Sequence, residues 1–128
     1  MTISEAVKQG SEGSIIFVQA GVYRESLVIT RGVTIVGEGS ALVQLIHQQS
    51  NTVHITGATS RVTIKDISVC LAGSGSFSAM LIDKDSEVLI EKCDMSASNS
   101  SGDASGIRTS TNAKVTVQNT RVVALVFV

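Results

Sequence analysis

Large aromatic side chains are scarce in this sequence. It contains no tryptophan, one tyrosine and three phenylalanines, and it has no proline. A globular β-sandwich usually packs larger rings in its core, whereas valine, isoleucine, threonine and serine dominate here. Because β-branched residues favour strands, the composition predicts strands that pack small aliphatic side chains in a thin, repetitive core.

Other absences argue against whole classes of protein. No apolar run reaches the 18 residues typical of a transmembrane helix, and the N-terminus shows no secretory signal. The net charge is −1, with acids and bases interspersed, so we expect no nucleic-acid partner and no membrane partner. The two cysteines, Cys70 and Cys93, do not make a disulfide framework. A reducing, cytoplasmic location is therefore expected.

A repeat of about 27 residues runs through most of the chain. It appears in two sets of segments: 61–69, 87–95 and 114–122, and 53–55, 80–82 and 107–109. Equivalent positions follow one another at steps of 26 and 27 residues in the first set and of 27 and 27 residues in the second. Strands of three or four residues are unstable alone, but they form three parallel sheets when successive coils stack about 4.8 Å apart.

We name the three strands of a coil by the face that they form. Face b contains 27–29, 53–55, 80–82 and 107–109; face c contains 33–35, 62–64, 88–90 and 115–117; face a contains 16–18, 43–45, 67–69, 93–95 and 120–122. Side chains alternate between inside and outside along each strand. The inward positions on faces b and c are Val53, Ile55, Met80, Ile82, Ile107, Val62, Ile64, Val88, Ile90, Val115 and Val117.

The sequence therefore predicts one all-β domain, a right-handed parallel β-helix of about four coils. The coils span residues 13–122, a capping helix spans 1–10, and an apolar tail spans 123–128. Thr2 and Glu5 form a capping box for the helix, and Gly10 ends it. The helix would cover the first coil, which otherwise exposes apolar side chains and strand edges.

The segments 13–29 (GSIIFVQAGVYRESLVI) and 33–39 (VTIVGEG) resemble the first coil of pectin-lyase-like β-helix proteins. That superfamily includes pectin methylesterases, carbohydrate-binding or sugar-hydrolysing repeat domains, and the β-helix regions of certain F-box and Shc-binding proteins. The resemblance covers residues 2–39, and the period extends it along the chain. One departure is Ala20, where the family usually has proline.

The resemblance implies a fold and leaves the function open, because one fold hosts many sites. The catalytic carboxylates of pectin methylesterases lie in a Gly-Tyr-Gln-Asp-Thr-Leu signature, which no segment matches, so no catalytic residue is assigned. Asp83, Asp85 and Asp103 are too few for the six to eight oxygens that calcium takes. We expect no metal and no cofactor.

Several polar residues have structural interpretations. Asp94 and Arg121 should form an ion pair between coils. Asp66, Lys92 and Asn119 should stack at a tight turn, where aspartate and asparagine satisfy the backbone. Cys93 aligns with a core position, and Cys70 lies three positions out of register with it, beyond disulfide reach.

The outward column of face b is the candidate binding surface: Val28, His54, Leu81 and Arg108. Apolar residues beside a histidine and an arginine are typical of a recognition patch, although scattered surface residues would look the same. His54 could act as a general base, but no serine, cysteine or aspartate is predicted beside it on that face. A binding role is favoured.

The C-terminal tail is apolar and has no charge after Arg121. It could fold under its own last coil, join a second chain, or lead into further sequence. Self-association is the favoured interpretation, because an open coil edge invites pairing. The candidate interface residues are Val123, Leu125, Val126 and Phe127.

The leading hypothesis is a non-catalytic scaffold module that binds a protein partner and self-associates. A protein is preferred to a glycan because no exposed aromatic platform for a sugar ring is expected. The alternative is a pectin-lyase-like carbohydrate-active enzyme or a glycan-binding domain, which would need acids converging from successive coils.

Overall fold

A computed structural model describes residues 2–47, 50–58, 60–72, 78–97, 105–110, 112–122 and 125–127. Within these residues, one helix, α1 (Ile3–Gln9), precedes fifteen strands. The strands are β1 (Ile15–Val18), β2 (Gly21–Arg24), β3 (Leu27–Ile29), β4 (Thr34–Gly37), β5 (Val43–His47), β6 (Val53–Thr56), β7 (Val62–Lys65), β8 (Ser68–Leu71), β9 (Ser78–Asp83), β10 (Glu87–Glu91), β11 (Asp94–Ala97), β12 (Ser105–Thr109), β13 (Lys114–Gln118), β14 (Arg121–Val122) and β15 (Leu125–Phe127).

The strands form three parallel sheets of five, stacked as a β-solenoid. Face c has the order β1-β4-β7-β10-β13, face a the order β2-β5-β8-β11-β14, and face b the order β3-β6-β9-β12-β15. Each strand pairs with the strand three places later in the chain, which is what a coil of three strands requires. The predicted all-β solenoid with one short N-terminal helix is confirmed.

Inward side chains form one continuous aliphatic core. On face c, Ile35, Ile64 and Ile90 lie directly over one another and are at most 2% exposed. The predicted inward residues of β6, β7, β9 and β10 are all buried. Val115 and Val117 are only partly buried, because β13 is the last strand of its sheet among the described residues.

The corner between faces c and a is a short turn that repeats from coil to coil. Asp66, Lys92 and Asn119 occupy it with φ angles of 55°, 54° and 47°. The predicted stack is confirmed by hydrogen bonds along it, from Asp66 N to Glu91 O and from Lys92 N to Gln118 O. At the same corner of the preceding coil, a Cβ on Gly37 would overlap the carbonyl oxygen of Asp66, so glycine is required.

Helix α1 is anchored at its N-terminus and along its buried face. The Thr2 hydroxyl accepts the Glu5 N–H at 3.0 Å, as the capping motif predicts. The Glu25 carboxylate accepts the N–H groups of Ile3 and Ser4 at 3.1 and 2.7 Å. Ile3 and Val7 are both 4% exposed, and the helix packs on β1 and β3.

Two assignments change in the structure. Ile16–Val18 was placed on face a, but β1 belongs to face c, where Phe17 pairs with Val36. The first strand of face a is β2. In the apolar tail, residues 125–127 form β15, which continues face b by pairing with β12.

We predict that Lys92→Asn stabilises the protein. A left-handed φ angle costs an ordinary L-residue about 1–2 kcal/mol, and asparagine tolerates it better. Lys92 is exposed and forms no ion pair within the described residues, so little should be lost with its side chain. Urea unfolding should show a gain of about 0.5–1 kcal/mol. Asn119→Lys is the reverse control, and its failure to destabilise would contradict the argument.

Candidate functional site

The predicted column of face b forms as expected. Val28 pairs with His54, His54 with Leu81, and Leu81 with Arg108. All four side chains point outward, since their neighbours along each strand are buried in the core. Val28 is 58% exposed, and the other three are half-buried. The column thus crosses four adjacent strands of a rigid sheet.

Asp83 lies beside His54. The prediction that no aspartate would lie beside His54 on face b is therefore wrong. His54 Nε2 is 3.2 Å from Asp83 Oδ2, and the two side chains are 31% and 18% exposed. Asp83 faces Thr56 across the sheet, two residues beyond Leu81, so it reaches His54 along the diagonal. Residues that face each other directly do not predict this contact, because it is diagonal and because β9 extends to Asp83.

The surroundings of Asp83 favour its charged form. Partial burial acts to raise the pKa of this carboxyl. Hydrogen bonds from Thr56 and His54 and the positive charges of His54 and Lys84 outweigh it, and they hold the pKa below its usual value. The carboxylate therefore orients the imidazole and offers a negative charge to it.

An orienting carboxylate beside a histidine resembles two members of a catalytic triad. Such a pair acts in nucleophilic catalysis when a nucleophile stands at the other ring nitrogen. On face b, the strands on either side of His54 present Val28 and Leu81 to it. These neighbours suit an apolar contact surface with one oriented polar group, which is the usual make-up of a recognition patch.

The remaining acidic candidates do not gather into a metal site. Among the described residues, no three histidine, cysteine, aspartate or glutamate side chains are arranged to hold a metal ion. Asp83 and Asp85 flank the turn residue Lys84, and Asp103 lies outside the described residues. Asp94 Oδ2 is 3.2 Å from Arg121 Nη1, and Arg121 is 70% exposed, so this confirmed pair contributes little to stability.

The cysteines are both free, as predicted. Cys93 is buried in the core, and burial raises the pKa of its thiol to about 11. Its Sγ lies 3.4 and 3.3 Å from the carbonyl oxygens of Ile64 and Glu91, and either can accept its single S–H. A protonated, enclosed thiol is a packing group, since the thiolate is the reactive form.

The candidate interface in the tail is only partly described. The backbone of Leu125, Val126 and Phe127 forms β15, opposite Ile107, Arg108 and Thr109. Val123 and the side chains of residues 125–127 lie outside the described part.

Comparisons with protein-family models and with curated proteins give no match for this sequence. The structure therefore shows a parallel β-solenoid. It does not show membership of the pectin-lyase-like superfamily. Within the described residues, the structure contains no helix with the length and apolarity needed to span a membrane.

We predict that Asp83→Asn destabilises the protein in a pH-dependent way. A carboxyl whose pKa is lower in the folded state stabilises the fold above its unfolded pKa, and this is lost as the pH falls through the folded pKa. Wild type should therefore exceed the variant in unfolding free energy at pH 6, and the gap should close below pH 3.8, the ordinary value.

Urea unfolding of both proteins over this pH range is the measurement. The same comparison in a His54→Gln background is the control, because His54 supplies part of the stabilisation of the carboxylate. The gap should be smaller there. A gap independent of pH, or of His54, would contradict the prediction.

Proposed function

We propose that this chain is a non-catalytic interaction module that binds a protein partner through the outward column of face b. The observation that carries the proposal is the in-register array of Val28, His54, Leu81 and Arg108 across four strands. Two apolar side chains alternate there with two polar ones, and Asp83 holds the histidine. A rigid surface of this kind binds with little ordering cost.

The family and the location are part of the same proposal. The N-terminal resemblance and the three-strand coil support a place in the pectin-lyase-like superfamily. A cytoplasmic scaffold role is supported by two free cysteines and by the interspersed surface charges. Each face presents stacked side chains at strand spacing, which suits the assembly of partners on one chain.

We predict that Leu81→Glu abolishes partner binding, whereas Leu89→Glu does not. Leu81 is an apolar residue in the middle of the face b column, and a glutamate there would be buried as an unpaired charge against the partner, which strongly disfavours binding. Leu89 is a matched control, since it also points outward, half-buried, from the neighbouring strand β10 on face c.

The measurement uses a photo-crosslinking amino acid placed at position 28, in the same column, in cells that express the full chain with Leu81→Glu, with Leu89→Glu or with neither change. Products that are lost with Leu81→Glu and retained with Leu89→Glu would support the proposal. Equal products with both variants would argue against face b. Circular dichroism and thermal melting of each variant establish that the solenoid is intact.

Self-association through the C-terminal end is a separate part of the proposal. Val115, Val117 and Val122 pack against the core but remain half-buried, and β13 and β14 are edge strands. We predict a discrete oligomer in size-exclusion chromatography with light scattering, with a mass that rises with concentration. A monomer at every concentration would contradict the proposed self-association and would not affect the proposed partner binding by face b.

A further inference from the structure

Among the described residues, helix α1 covers only part of the N-terminal end of the solenoid. Helix α1 packs on β1 and β3, and on the side of β2 there is a cavity of about 350 Å³. Its lining includes Ile3 and Ala6 of the helix and Ile16 and Tyr23 of the first coil. Ile16 and Tyr23 point inward but are only half-buried, because α1 does not extend over them.

In the part of the chain that the structure describes, β2 is the first strand of face a and no strand pairs with its edge beside this cavity. The Gly21 N–H points towards β5 and donates to the carbonyl oxygen of Leu42 at 2.9 Å. In a parallel ladder, alternate residues bond to opposite sides, so the N–H and C=O of Val22 point towards the N-terminal end. Within the described residues no backbone group pairs with them there.

The side chains of β2 define what could pair with this edge. Val22 points outward and is 55% exposed. Arg24 also points outward, is exposed, and has no ion-pair partner in the described part of the chain. Tyr23 points inward under the cavity, and its hydroxyl donates to Gln19 O at 2.7 Å.

We propose that β2 is a docking edge for an extended, acidic–apolar peptide segment of a protein partner. The segment adds a parallel strand to face a. Its residue opposite Val22 is apolar, the next fills the cavity over Tyr23 with an aliphatic side chain, and the third is an acid opposite Arg24. Main-chain hydrogen bonds would hold the segment, and the side chains would select it.

This surface is distinct from the face b column. It uses the end of the solenoid instead of a side, and it recognises a backbone edge in addition to side chains. The cavity lining contains no charged residue, so the inserted side chain must be uncharged. The charge of the segment is set by Arg24 alone.

The test titrates the full, isotope-labelled chain with the peptide Ser-Thr-Val-Leu-Glu-Thr-Ser, blocked at both ends. NMR signals of Val22, Tyr23 and Arg24 should shift, while those of His54 and Leu81 should not. Methylating the backbone nitrogen of the peptide leucine should abolish binding, because that N–H donates to the C=O of Val22 in the proposed register.

Charge reversal provides the matched comparison. Arg24→Glu should weaken binding of the glutamate peptide about fivefold and should strengthen binding of a lysine version by a similar factor. Lys8→Glu, an exposed change on the last turn of α1, should leave the preference for glutamate intact. Folding of each variant is followed in the same spectra.

Each other outcome would overturn the proposal. These are no shifts at β2, equal binding of the methylated peptide, equal binding of the glutamate and lysine peptides to wild type, or shifts on face b instead. If the β2 signals shift with protein concentration and do not change when peptide is added, the segment bound at β2 belongs to a second copy of the chain. The signals of His54 and Leu81 report on face b in the same titration. A negative result at β2 would therefore leave the proposed function of face b unaffected.

Discussion

The structure depends on one contact that is repeated between coils, in which an aliphatic side chain packs on its equivalent in the next coil. The column Ile35, Ile64 and Ile90 shows it most directly. Each strand is too short to be stable by itself, so neither its backbone hydrogen bonds nor its burial exists without the coils above and below. Register is therefore set by the core, since a slip of one residue would turn the isoleucines outward. The same constraint aligns the outward columns, including the candidate site on face b.

The period of the sequence was enough to predict the parts of the fold that repeat. Wherever a coil has neighbours on both sides, as at Val62 and Val88, equivalent residues could be aligned and their direction read from alternation. The prediction failed at the first coil, because β1 has no earlier coil to align with. Phe17 was placed on face a for that reason. The segment Gly21–Arg24, which is the true first strand of that face, carries a glycine and two charged or aromatic residues and lacks the aliphatic pattern of its partners.

The candidate site was predicted in part, and the missing part has a physical cause. The column from Val28 to Arg108 follows from the register alone. The ion pair of His54 and Asp83 does not, because it runs diagonally between strands and depends on the rotamers of two side chains. It also requires β9 to continue to Asp83, although that residue looks like part of the following turn. The cavity beside Tyr23 was beyond sequence analysis for a similar reason, since it depends on how far α1 reaches over the first coil.

In the last three coils, two residues link face c to face a: 66–67 between β7 and β8, 92–93 between β10 and β11, and 119–120 between β13 and β14. The passage from face a to face b varies in length, with two residues (25–26) between β2 and β3, five (48–52) between β5 and β6, six (72–77) between β8 and β9 and seven (98–104) between β11 and β12. Loop length costs little where a connection already varies from coil to coil, whereas a residue added at the tight corner would displace a core column. The two kinds of connection thus divide the chain into a frame of fixed spacing and a passage whose length can change. In the evolution of such a protein, new segments could be added at that passage while the frame keeps its geometry.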